Sequence, residues 1–391
     1  MMEGKAMSKA AQKLVDQETD TLLRKYGSTH KTQEFILLME KEYQRIARRL
    51  VKYKLSALTT LYNDSRDSLH LHREQITNAA TNTPIDSEIG SFLEIQASIY
   101  KTAIDIKRLE NRSQPKHPFS NSLLDYGLFS ASTPNKKTIA KEYGNSIIQE
   151  RNGIKESIYK NKQAVFLESF DAKVFIGLTK LWFDNGKNQE IHVEFKQLIK
   201  SYGGTNSGGE IKAVRESLKN VYATSIRMKQ YFDPTVSDII QITEEYHPID
   251  KIDWILRKGE KEGEETAATI HFHKILHNSL LAGNYSFINM VLFNDLNSAA
   301  SKLLYMNLIR SVQSNTTIYE LDSLIRHFGI YSKNRADAIN TIVQAFEELK
   351  DNDVIREFTP IYGKRNKMEY VQFKLSEWFE NQKQSEILSI G

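Results

Sequence analysis

His271-Phe272-His273 and Tyr159-Lys160-Asn161-Lys162 are the patterns in this chain that could carry covalent chemistry. Strand alternation would put His271 and His273 on one face, as two ligands of a single metal require. Tyr159 would then be the nucleophile of a metal-dependent, rolling-circle kind of DNA nick. Chain order opposes this, because such enzymes place the tyrosine after the histidines, and here it stands far upstream in a strand-like run. His70-Leu71-His72 has the same form inside a helical segment, where both rings cannot face one metal. No carboxylate cluster has nuclease or polymerase spacing. The glycine-rich stretch Gly203–Gly209 lacks the lysine and spacing of a phosphate-binding loop and reads as a turn. None of the 391 residues is cysteine, which excludes a disulfide framework, a thiolate metal site and a cysteine nucleophile. The expectation is no enzyme, no catalytic residue, no metal and no cofactor.

A second chemistry is better represented, namely amides and cations at helical spacing. In Ala336–Leu349 the apolar residues Ile339, Ile342, Val343 and Phe346 mark a buried face. A wheel at 100° per residue puts Lys333, Asn334, Asn340, Thr341 and Gln344 opposite. Asn and Gln can pair with adenine, and Lys can reach guanine O6 or N7. Arg335 lies toward the core side by angle but could turn to a phosphate at the helix start. Asp337 sits among these residues and would either accept from cytosine N4 or orient a neighbour. Upstream, Lys212, Lys219 and Asn220 project similarly from Ile211–Val221, flanked by Arg215 and preceded by Thr205, Asn206 and Ser207 in the turn. The basic run Lys364, Arg365 and Lys367 suits phosphates or a minor groove. The alternative is that these polar faces are merely solvated. A net charge of only +4 permits nucleic-acid binding without demanding it.

The elements that would position these residues recur. Thr317–Tyr319 reads as a strand, followed by a helix with Leu321, Leu324, Ile325 and Phe328. Gly329 ends that helix in the left-handed region. Ser332 is a candidate N-cap for the second helix. The strands Val354–Ile361 and Met368–Phe373 follow. Strand, helix, turn, helix and basic hairpin make a winged helix-turn-helix. Leu198–Gly203 mirrors Leu324–Gly329. Ile211, Val214, Leu218 and Val221 mirror Ile339, Ile342, Phe346 and Leu349, so the unit is present twice. Helices Ala172–Phe183 and Ala300–Val312 precede the two copies. Ala223–Lys229 and Asp238–His247 are expected to be strands of the first wing and sheet, and Arg257–Glu265 a hairpin tip.

Residues 1–31 are polar and weakly helical, with a disordered start expected. Thr32–Leu61 is expected as one helix, with Phe35, Leu38, Met39, Tyr43, Ile46, Leu50 and Leu58 on one face. Its basic side (Lys41, Arg45, Arg48, Arg49, Lys52, Lys54) is either solvated or docks a phosphate or partner. Pro84 opens a second long helix, Ile85–Leu109. Asn111–Lys137 reads as a linker or irregular entry, with an apolar island, Leu123–Phe129, that docks on the segment downstream of it. The fold class is therefore α+β, mainly α. Two tandem winged helix-turn-helix domains, 113–296 with a connector and 297–391, are preceded by an α-helical region, 1–112, for dimerisation or partner docking. The absence of an apolar signal segment or spanning run predicts a soluble, cytoplasmic chain with no membrane partner.

Two stretches carry a family resemblance. LTKLWFDNG…IHVEFKQLIKSYGG…IKAVRESLKNVYATSI resembles the first winged helix of iteron-binding, theta-replicating plasmid replication initiators. HNSLLAGNYSFINMVLFNDLNSAASKLLYMNLIRS resembles their connector into the second, through Tyr285, Ile288, Leu292, Leu296, Ser298, Ala299, Leu304 and Tyr305. The resemblance covers about residues 120–375. It implies binding to directly repeated double-stranded sites at a plasmid origin, opening of adjacent DNA, and recruitment of a host initiator and replicative helicase. It also implies homodimers that repress their own gene, hence copy control, and no nuclease activity. A winged-helix transcriptional regulator, a rolling-circle nickase and a protein-binding scaffold are the alternatives.

Overall fold

Ala11, Val15, Thr19 and Leu22 recur every three or four residues and are all buried, and this narrow stripe folds Met2–Tyr26 into helix α1. The computed structural model describes residues 2–26, 33–78, 84–114, 116–125, 128–131, 146–151, 155–161, 167–233, 238–257, 259, 261, 263–311, 316–330, 332, 334–363 and 367–381. They form two compact units, Met1–Gln114 and Pro115–Gly391.

In the first unit α1 packs with α2 (Gln33–Leu50), α3 (Leu55–Asn78) and α4 (Pro84–Arg112). Helix α1 lies in the segment expected to be polar and weakly helical. Its small apolar stripe is supplemented by polar contacts. Gln96 donates to Asp16 at 2.6 Å, and the Tyr100 hydroxyl donates to Gln12 at 3.2 Å. The helix expected over Thr32–Leu61 is broken after Leu50. Tyr53 N–H bonds the Leu50 carbonyl, and the Lys107 ammonium takes the Val51 carbonyl at 3.0 Å. Both halves can then lay Ile46, Leu50, Leu55 and Leu58 into one core with Ile99 and Ala103. The basic side has an internal partner, because Arg45 and Arg49 both bind Glu18.

The second unit opens with β1 (Lys116–Ser120), α5 (Asn121–Asp125) and β2 (Phe129–Ser130). The described residues of this segment form regular elements, where a linker or irregular entry was expected. β1 pairs antiparallel with Tyr285–Asn289, His117 Nε2 meets the Ser201 carbonyl at 2.6 Å, and Ala131 N–H donates to the Phe328 carbonyl at 2.6 Å. Leu123, Leu124, Leu128 and Phe129 are buried in the core, where the apolar island was expected to dock. Next come β3 (Ser146–Arg151), β4 (Lys155–Asn161), β5 (Leu167–Glu168), α6 (Ser169–Asp184), β6 (Glu190–Glu194), α7 (Phe195–Ser201) and α8 (Gly208–Ala223). The chain continues through β7 (Thr224–Asp233), β8 (Asp238–Tyr246), β9 (Ile249–Ile255), β10 (Ala267–Phe272), α9 (Lys274–Leu281), β11 (Tyr285–Asn289) and α10 (Met290–Asp295). It ends with α11 (Ala299–Ser311), β12 (Thr316–Glu320), α12 (Leu321–His327), α13 (Arg335–Asp351), β13 (Ile355–Tyr362) and β14 (Met368–Leu375).

Two winged helix-turn-helix modules result. In the first, α7 and α8 lie with the sheet β6-β10-β9, and in the second, α12 and α13 lie with β12-β14-β13. The fold is α+β, as expected. The first wing is placed differently, because it is the hairpin β9–β10. β7 and β8 instead extend β4 and β3 into a separate sheet of order β3-β4-β7-β8, inserted between recognition helix and wing. The repeat is preserved at its turns, where Gly203 and Gly329 both take positive φ, 78° and 54°, a region that glycine enters without steric cost. A single core runs through both modules, from Phe119 and Trp182 to Phe346 and Phe373.

Candidate nucleic-acid interface

In the first module, Ser207 caps α8 and its hydroxyl accepts from Glu210 N–H at 3.2 Å. The Glu210 carboxylate turns back to the preceding turn, accepting from Thr205 N–H at 2.7 Å and the Thr205 hydroxyl at 2.9 Å. Burial pushes the Glu210 carboxyl up, but these bonds and the nearby Lys173 outweigh it and hold it below the ordinary range. The glycine-rich turn is therefore braced, with Thr205, Asn206 and Ser207 exposed on it. Ser207→Ala should remove the cap and cost about 1 kcal/mol, read as a lowered urea midpoint. An unchanged midpoint would show that Glu210 alone holds the turn.

Along α8, Lys212 and Lys219 are exposed and Asn220 is half-buried. The Lys219 ammonium lies 3.3 Å from Glu216 and 5.9 Å from the Trp254 ring centroid, so it stands between α8 and the wing. Arg215, expected to flank the reading face, turns inward. Its side chain is 10% exposed and its guanidinium is 3.6 Å from Glu265, which is equally enclosed at the end of the wing loop. It links helix to wing instead of facing outward. Tyr222, 46% exposed at the end of α8 beside the His247 ring, was not anticipated. The spacing Ser207-x-x-Glu210, a capping-box form, could have identified Glu210.

In the second module, α13 buries Ala338, Ile342, Ala345, Phe346 and Leu349, while Ile339 and Val343 are half-buried flanks. Asn340 and Gln344 are exposed. Thr341 is half-buried, and its hydroxyl donates to the Asp337 carbonyl at 2.9 Å. The N-cap is Asn334, whose side chain accepts from Ala336 N–H at 3.0 Å. Ser332, expected in that role, instead accepts from Asn334 N–H, because the helix starts two residues later. Arg335 donates to Asp322 at 2.8 Å and to the Met368 carbonyl at 3.2 Å, which ties the helix start to the wing. Lys367 is exposed. Lys333, Lys364 and Arg365 lie outside the described residues.

The geometry also bears on the disfavoured nickase alternative. The register shifts between His271 and Phe272, and His273 leaves the strand to cap α9, accepting from Ile275 N–H at 3.2 Å. Its ring stacks on Tyr246 at 4.9 Å. His271 lies 3.0 Å from Asp253 and 3.5 Å from Glu190. Tyr159 belongs to the separate inserted sheet. The three residues that the nickase alternative would need thus lie on separate elements, and the described residues contain no group of three or more His, Asp or Glu able to hold a metal. No described helix is long and apolar enough to cross a membrane.

No family model matches the chain, and no curated protein matches it. Two crystal structures of RctB are similar in fold. One, a selenomethionine derivative of domains 2 and 3, gives a TM-score of 0.43 at 9% identity over 59% of this chain and 90% of that one. The other, RctB 155–483, gives 0.40 at 10% identity over 61% and 93%. No residue role is carried across from either.

Proposed function

We propose that this chain is a sequence-specific, duplex-DNA-binding replication initiator of the plasmid kind, acting in the cytoplasm by binding and not by catalysis. One observation carries the reading: two complete helix-turn-helix modules share a core, and each presents a different polar helix face. Lys212 and Lys219 mark one face, and Asn340 and Gln344 the other. Two unequal readers in one chain fit an asymmetric site repeated head to tail, whereas a palindrome matches a symmetric pair of identical readers. Origin opening, recruitment of a host initiator and helicase, and homodimers for autorepression and copy control belong to the same proposal. They rest on the resemblance of Leu178–Ile226 and His277–Ser311 to plasmid initiators.

Footprinting of the pure protein on DNA flanking its own gene tests this, with and without magnesium. Protection of several direct repeats, equal in both conditions and uncut, is the expected result. A single protected palindrome would identify a regulator instead, and a metal-dependent strand break would identify a nickase. In the same assay Lys212→Gln and Lys219→Gln should each lower the slope of log affinity against log salt by about 1. Slopes equal to wild type would remove both lysines from the interface.

A further inference from the structure

We infer that the second recognition helix reads adenine and cytosine edges, through amides and a carboxylate, and contributes no guanine contact between Ala336 and Gln344. The inference rests on the proposed DNA-binding function and assigns its base chemistry. The exposed residues along this part of α13 are Ala336, Asp337, Asn340 and Gln344. On a wheel the last three fall within about 60° of one another, opposite the buried Ile342 and Leu349. None is a cation. The nearest guanidinium, Arg335, is turned to Asp322 and the Met368 carbonyl. Thr341 spends its hydroxyl on its own helix.

This set has one consistent reading in a major groove. Carboxamides match the N6 donor and N7 acceptor of adenine together, whereas a carboxylate accepts best from cytosine N4, because the amino group of adenine lies beside the N7 acceptor, which repels it. Asp337 near phosphates is unfavourable, and a bond to cytosine N4 offsets that repulsion. Ala336 offers a methyl to the methyl group of thymine. From Asp337 to Gln344 the helix rises about 10 Å, which spans about three base steps of 3.4 Å. The half-site under this helix should therefore hold one C·G pair beside two A·T pairs. The first module differs, with Lys212 and Lys219 exposed.

The test uses the full chain and a randomised duplex library, with bound pools sequenced for wild type, Asp337→Asn, Asn340→Ala and Gln344→Ala. All three residues are on the exposed side, so the variants should fold, and circular dichroism checks this. Each amide variant should relax one A·T position, and Asp337→Asn should relax the C·G position. On the selected duplex, 7-deazaadenine at the A·T pairs should weaken wild-type binding about 5- to 150-fold. Replacement of the guanine of the C·G pair by 7-deazaguanine should leave binding unchanged. A motif identical for wild type and variants, or a loss on 7-deazaguanine alone, overturns the base assignment and leaves DNA binding standing. No enriched duplex overturns the DNA-binding proposal and this inference with it.

Discussion

Glu265→Ala should cost about 3–5 kcal/mol, the range for removing one partner of an enclosed ion pair. The variant leaves the Arg215 guanidinium under α8, 10% exposed, with its partner gone. Arg215 Nε has no hydrogen-bond partner, and the remaining carboxylate, Glu216, lies 3.9 Å from it but is half exposed, so it compensates only in part. Glu265 also accepts from Gly263 N–H at 2.8 Å, inside the wing loop, and the variant releases that turn too. The double variant Arg215→Met, Glu265→Leu removes both charges and should regain most of the loss, since apolar replacement of an enclosed pair is often neutral. Urea unfolding of the four proteins forms the cycle, and single-variant losses that simply add would mean the two side chains do not interact. The pH dependence has a definite sign. Burial raises the Glu265 carboxyl, but the Gly263 amide, its own amide, Arg215 and Lys219 outweigh this and set it below the ordinary value of 4.5. A depressed carboxylate stabilises the fold above that value, and the contribution is lost as pH falls through the lower, folded value. Wild type should therefore lose more stability below pH 4.5 than the double variant does. On the proposed DNA-binding function, affinity for duplex should fall in Glu265→Ala as well, because the pair sets the wing against α8.

What the sequence disclosed was local. Leu198 and Leu324, Val214 and Ile342, Leu218 and Phe346 repeat at helical spacing within a few turns, and the two turn glycines repeat with them. Periodicity reports such features because the side chains that must be buried lie on the same helix. What it hid was non-local. Lys116–Ser120 looks like linker because its partner strand, Tyr285–Asn289, is far along the chain. β7 and β8 follow the recognition helix, where a wing belongs, and only their pairing with β4 and β3 shows an insertion. Arg215 reads as a flank of the DNA-facing residues until Glu265 is placed beside it. α1 reads as only weakly helical because its buried stripe contains alanine, valine and threonine, and part of its packing is done by Asp16, Gln12 and Glu18 hydrogen bonds. Side chains that alternate strictly on a strand predict one face for His271 and His273, and a single register shift separates them.

Glu348→Ala should cost about 2–3 kcal/mol, because one carboxylate on α13 satisfies the exposed start of α11. Its Oε2 accepts from Ser298 N–H at 3.3 Å and the Ser301 hydroxyl at 2.5 Å, and its Oε1 takes Asn297 N–H. Ser298 meanwhile caps α11, accepting from Ser301 N–H at 2.9 Å. Helix starts leave backbone N–H groups without intrahelical partners and carry partial positive charge, so an anion there is stabilised twice. Hydrogen bonds to a charged group contribute about 1.5–3 kcal/mol, and the half-exposed setting of Glu348 keeps the sum near the upper end of one such bond. Glu348→Gln retains an acceptor oxygen and should recover about half. Thermal unfolding gives the magnitude, and amide exchange gives the location, with Asn297 and Ser298 losing protection before the core of α11. The consequence reaches the interface, since Glu348 shares its helix with Asn340 and Gln344 while α11 packs beside the first module's segment through Leu303, Met306 and Leu124. On the proposed function, loosening this clamp should weaken DNA binding by the pair of modules more than it weakens the second module's base preference. A loss below about 0.5 kcal/mol, with exchange at Asn297 and Ser298 unchanged, would mean that water caps α11 as well as Glu348 does.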